Sequence, residues 1–80
     1  MEVEEVWELY RRLDEELRKA LRKKWYDRDE LWDIRSRIED LLGEIEGMQG
    51  HDEDEKWELS YLRDELRWML ECVESALAEC

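Results

Sequence analysis

The residues here that could do chemistry are few: one histidine, two cysteines, three serines and a large excess of carboxylates. His51 has only Asp52 and Asp54 as near neighbours able to share a metal ion. Both acids have an ordinary use as negative charge at a helix N-terminus. Cys72 and Cys80 stand eight residues apart. On one helix their Cα atoms lie about 12 Å from each other, beyond the roughly 7 Å that a disulfide spans and too far to share a zinc ion. With no Cys-x-x-Cys pair either, the spacing predicts two reduced thiols at the core edge, Cys80 being free to pair with another molecule in air. Ser36, Ser60 and Ser75 fall in helix-periodic sequence, without a histidine in reach or a glycine-rich oxyanion loop. Lys24 occupies an apolar stripe position, where desolvation would lower an amine's pKa, but beside a turn its long stem carries the head to water. These patterns predict no catalytic residue, no metal ligand and no cofactor, and hence no enzyme.

One carboxylate spacing resembles a known one. Glu5-x-x-Glu8, then 21 residues, then Glu30-x-x-Asp33 is similar to the magnesium-binding pattern of the MazG-like nucleotide pyrophosphatases. The resemblance covers four residues. It implies four carboxylates across two facing helices of a dimeric bundle, holding the metal that binds the nucleotide's phosphates. Glu5, Glu8 and Asp33 point away from the apolar seam, however, and a metal site needs side chains that converge.

The elements that would position such groups are helices. Glu, Leu and Arg dominate the 80 residues, and Pro, Phe, Thr and Asn are absent. No segment alternates apolar and polar residues for long enough to make a strand. A chain this size buries roughly 60% of the surface its unfolded form exposes, enough for one core and one domain over 1–80. The net charge of −12 argues against nucleic acid and anionic membranes, since phosphate binding needs a basic stripe. The sole basic cluster is Arg18, Lys19, Arg22, Lys23 and Lys24. No apolar run is long enough to span a bilayer, and the acidic start from Met1 to Glu5 is unlike a targeting peptide. The expected location is therefore the cytoplasm of an expressing cell.

A heptad runs from residue 3 to residue 48 without a change of frame. One stripe holds Val3, Tyr10, Leu17, Lys24, Leu31, Ile38 and Ile45; the other holds Val6, Leu13, Ala20, Asp27, Ile34, Leu41 and Met48. Only Lys24 and Asp27 interrupt it, which places a turn around 25–27. Asp27 and Glu30 form a capping-box pattern, and the basic cluster before them suits a helix C-terminus. One continuous helix over 3–48 is the alternative, because no Gly or Pro marks that turn. A second break falls at Gly47-Met48-Gln49-Gly50-His51, with Asp52 to Glu55 loading charge onto the next helix. Its stripe is Leu59, Leu62, Leu66, Met69, Val73, Ala76 and Cys80, flanked by Leu70 and Leu77.

The expected fold is an all-α, antiparallel up-down-up three-helix bundle, with helices near 2–24, 28–46 and 52–79. Charge supports that order. Residues 1–26 carry seven cations and seven anions, 27–47 three and eight, and 48–80 three and ten. The basic end of the first helix would lie beside Glu71, Glu74 and Glu79.

Apolar surface also occurs off the seam. Trp57, Tyr61 and Trp68 lie within about 40° of one another on the third helix, nearly opposite Leu59, Leu66 and Val73, with Cys72 at the border. Trp32 points away from the second helix's seam, and Trp25 precedes it by seven residues. A patch of aromatics is the usual mark of an interface. Trp57, Tyr61, Trp68 and Trp32 are therefore the candidate interface residues.

Regular heptads, charge-saturated faces and pairs such as Glu8–Arg12, Asp14–Arg18 and Glu15–Lys19 give the whole chain a resemblance to computationally designed helical bundles. That resemblance implies a scaffold with no substrate and no required partner. Two cysteines, Gly43 and the off-seam Trp residues depart from it, and they would suit a natural protein rich in ion pairs. The alternative function is a helical interaction module, self-associating as a weak homodimer or binding a partner helix through the aromatic patch.

Overall fold

Three helices form where the apolar stripes run unbroken: α1 over Val3–Arg22, α2 over Arg28–Glu46 and α3 over Glu53–Glu79. The computed structural model describes residues 1–79; Cys80, and with it the Cys72–Cys80 spacing, lies outside the described residues.

The heptad frame that crosses residues 23–27 is not one helix. The chain turns extended at Lys23 (φ −66°, ψ 144°), and Asp27 restarts it. The Asp27 carboxylate accepts from the backbone N–H groups of Asp29 (3.0 Å) and Glu30 (3.2 Å), and its carbonyl accepts from Leu31 at 3.0 Å. Satisfying orphan donors in this way is typically worth about 1 kcal/mol and needs no glycine. The expected reciprocal arm of the capping box is replaced. Glu30 turns its carboxylate to the Lys23 ammonium, tying the end of α1 to the start of α2. Lys24 and Asp27, counted as stripe positions in the sequence, are exposed in this connection because no helix runs through them.

The second connection is held from both ends. Gly47 and Met48 donate to the carbonyls of Glu44 (3.2 Å) and Ile45 (3.0 Å), closing α2. Asp52 then accepts from Glu55 N–H at 2.9 Å, while the Glu55 carboxylate accepts from His51 N–H at 3.0 Å. This is a two-way cap close in form to a capping box. Gly50 is required by proximity: a Cβ there would sit 2.7 Å from the backbone nitrogen of Lys56.

Contacts fix the directions of the helices. Between α1 and α2, Glu16 meets Arg37 and Lys23 meets Glu30, so one helix descends as the other climbs. Between α2 and α3, Arg35 reaches Glu74 near one end, and Ile45 lies by Leu59 and Arg63 near the other. Helices α1 and α3 run parallel, with Trp7 against Tyr61 and Leu21 beside Trp68 and Ala76. The result is an up-down-up bundle of 44 × 17 × 16 Å in which every pair of helices touches. A 27-residue helix is about 40 Å long, so α3 sets the length.

Fifteen apolar side chains form the core: Val6, Leu13, Leu17 and Ala20 from α1; Leu31, Ile34, Ile38, Leu41 and Ile45 from α2; Leu59, Leu62, Leu66, Met69, Val73 and Ala76 from α3. Each large one contributes roughly 1.5–3 kcal/mol by burial. Among the described residues no polar or charged side chain is buried. Val3, Tyr10 and Met48 reach only half-burial, as do the flanking Leu70 and Leu77.

The surface charges pair as the sequence leads one to expect at two places and differently at others. Arg18 takes Asp14 (3.0 Å) and Lys19 takes Glu15 (3.3 Å) within α1, while Glu8 and Arg12 do not close. Glu74 is held by Arg35 of α2 at 3.6 Å rather than by the end of α1. Of the three α3 acids expected there, Glu79 borders the groove shared with Lys23 and Lys24. Arg18 and Lys19, near the end of α1, are engaged by acids one turn away on their own helix.

Three substitutions test this architecture. Leu66, fully buried among apolar neighbours, should not tolerate a carboxylate: Leu66→Asp leaves a charge without a partner and should abolish the cooperative melt followed by circular dichroism. Gly43 lies mid-helix, with open space where a Cβ would go, so Gly43→Ala should stabilise by about 0.5–1 kcal/mol in urea titration. Gly50→Ala should cost about 1–3 kcal/mol, because the added methyl meets the backbone of Lys56 as well as its side chain.

Candidate functional site

The paired carboxylates do not assemble. Because α1 and α2 are antiparallel, Glu5 and Glu8 near the start of α1 lie at the opposite end of the bundle from Glu30 and Asp33. The nearer two, Glu8 and Asp33, are about 18 Å apart along the axis at 1.5 Å per residue. Glu30 is engaged by Lys23, and Asp33 by Arg37 at 3.1 Å. The likeness to the pyrophosphatase metal pattern therefore fails on geometry within the chain. Among the described residues no group of three His, Cys, Asp or Glu side chains converges. His51 is exposed, with its backbone N–H in the α3 cap. Ser36, Ser60 and Ser75 are exposed on helix surfaces.

What the fold does bring together is rings. Trp57 stacks on Tyr61 (centroids 5.8 Å, planes 13° apart), and Tyr61 stacks on Trp7 of α1 (5.9 Å, 28°). Trp7 in turn meets Tyr10 edge-on (5.9 Å, 84°), and the Arg11 guanidinium lies 5.9 Å from the Trp7 ring. Four rings thus cross the groove between the parallel helices in geometries that suit aromatic quadrupoles. Trp68, two turns further along α3, stands over a second hollow with Leu21, Tyr26 and the half-buried Cys72. Trp32 belongs to neither group: it sits on α2 with the Arg35 guanidinium 5.0 Å from its ring.

The sequence groups Trp57, Tyr61 and Trp68 on one side of α3, nearly opposite Leu59, Leu66 and Val73. Tyr61 instead forms the outer wall of the α1–α3 groove, 40% exposed, while Trp57 and Trp68 stay 68% and 63% exposed. Trp7 is the residue that sequence reasoning passes over. Its signal was the i, i+3 pair that it makes with Tyr10 beside Val6.

The three grooves are sealed by different means. Arg37–Glu16 (2.7 Å) crosses α1–α2 and Arg35–Glu74 crosses α2–α3. Among the described residues no ion pair crosses α1–α3, where the rings take that place. The Arg37 guanidinium is held further in its charged form, chiefly by its hydrogen bond to Glu16. Burial, and then the nearby carboxylates of Glu65 and Asp14, push the Tyr10 phenol up from its ordinary 10.0. The hydrogen bond to Glu30 raises the Lys23 ammonium above 10.5.

Comparison with known proteins returns no match, whether to a family model, a curated protein or a solved structure.

Both shifts give stability the same pH dependence. Between its ordinary value and its raised one, Tyr10 is ionised in the unfolded chain but keeps its proton when folded, so stability falls as pH rises. Lys23 contributes fully below 10.5 and loses its contribution as pH climbs through its raised value. Urea melts should therefore show stability falling above pH 10.0, and Tyr10→Phe should make that fall shallower.

Proposed function

We propose that the chain is a structural scaffold, a designed three-helix bundle with no catalytic centre of its own. The observation that carries this reading is the all-apolar fifteen-residue core, drawn from regular heptad positions on three helices. Side-chain caps at both connections support it, as do ion pairs at i, i+4 spacing along α1 and α2. Local preference, patterning and capping all favour the same fold, which is the consistency that makes a sequence specify one structure. On this reading the bundle needs no cofactor and no partner, and it resides in the cytoplasm of the cell that makes it. Among the described residues no helix is long and apolar enough to cross a membrane.

The second reading, a helical interaction module, rests on the exposed Trp57 and Trp68 and the half-exposed Tyr61. Large apolar side chains gathered on one face are otherwise a solubility cost that a pure scaffold has no reason to carry.

Thermal melting with and without excess magnesium or zinc tests the scaffold reading. A single cooperative transition at an unchanged midpoint is the expected result. A concentration-dependent rise with either ion would mean that the folded state binds it and would replace the scaffold with a metal-dependent function.

A further inference from the structure

The α1–α3 face combines two properties that the rest of the surface does not share. Its centre is aromatic: Trp57 stacks on Tyr61, which stacks on Trp7, and Trp68 continues the row along α3. Its border on α3 is acidic on both sides. At about 100° per residue, Glu58 and Glu65 flank the row towards α1, while Asp64 and Glu71 flank it on the outer side. The three cations of α3, Lys56, Arg63 and Arg67, all fall about 100–140° away from the row, and of them Arg63 reaches Asp64 at 3.8 Å. Across the groove, Arg18 of α1 is already paired with Asp14, Arg11 lies against Trp7, and the basic end of α1 sits by Glu79, beyond Trp68, with Lys23 tied to Glu30. Burial first, and then the carboxylates of Glu65 and Asp14, raise the Tyr10 phenol beside this row.

We infer that this face is a docking surface for a cationic amphipathic helix of a partner protein. The partner lays its apolar stripe along Trp57, Tyr61 and Trp68 and sets its Lys or Arg side chains against the carboxylates on either side. From Trp57 to Trp68 the row is about 16 Å long, room for three turns of a helix anchored at i, i+4, i+7 and i+11. Charge selects this occupant over a second copy of the chain. Two such faces would bring like carboxylate borders together, between molecules that each carry −12. The same borders repel nucleic acid and anionic lipid. This inference rests on the second reading, the interaction module, and adds the chemistry of its partner.

The test uses two synthetic amphipathic helices, one of Leu and Lys and one of Leu and Glu, titrated into the reduced 80-residue chain by calorimetry. Saturable one-to-one binding of the Lys peptide alone is expected. Trp57→Ser with Trp68→Ser should weaken it about tenfold or more, while Trp32→Ser leaves it unchanged. Both replaced side chains are mostly exposed, and an unaltered melt verifies the fold. Asp64→Lys with Glu71→Lys should weaken binding far more than Asp40→Lys with Glu44→Lys, which makes the same change in net charge on the α1–α2 face. Equal losses from the two charge pairs, equal binding of the Glu peptide, or no binding would each overturn the proposal. So would a dimer by light scattering that Trp57→Ser dissolves, since the occupant would then be a second copy.

Discussion

Each helix of this chain carries an apolar stripe that a single neighbour cannot cover, and the mutual covering of three stripes holds everything else in place. Leu31, Ile34 and Ile38 from α2 and Leu62, Leu66 and Val73 from α3 reach zero or near-zero exposure only because α1 closes the third side with Val6, Leu13 and Leu17. Isolated helices of this length are marginal in water, and their stability comes from packing an amphipathic face. The core contains no polar group among the described residues, so no buried hydrogen bond or charge helps to define it. Shape and apolar volume set how closely the three helices fit.

Because the interior is purely apolar, specificity has to come from the edges. Caps do part of this work. Asp27 and Asp52 each satisfy donors at a helix start and so fix where the chain stops turning one way and begins the other. The rest comes from the grooves. Arg37–Glu16 and Arg35–Glu74 favour one register of α2 against its two neighbours. Exposed pairs of this kind are worth only about 0–1 kcal/mol each, enough to bias between registers of similar burial but not to drive folding.

The α1–α3 groove is different. Parallel helices with a ring stack between them leave aromatic surface in water that an ion pair would have covered with charge. Trp7 and Tyr61 contribute to the fold there, while Trp57 and Trp68 contribute little to it and remain open. The same face combines what the fold uses least with what a binding partner would use most.

Much of this could be read from the sequence alone, because it is local. The 3.6-residue period names the core: of the α3 stripe from Leu59 to Ala76, every member is buried. The spacing of Asp27 from Glu30 marks a helix start without a glycine, because a cap acts over three residues. The i, i+4 pairs Asp14–Arg18 and Glu15–Lys19 form as the spacing requires. The tertiary structure decided what depends on the rotation and register of one helix against another. It turned Tyr61 from an outward aromatic into the partner of Trp7, gave Glu74 to Arg35 rather than to the basic end of α1, and set Glu5 and Glu8 about 18 Å or more along the axis from Glu30 and Asp33. Such pairings join residues distant in sequence, and no local preference encodes them. They follow only once three apolar surfaces have found the one packing that covers them all.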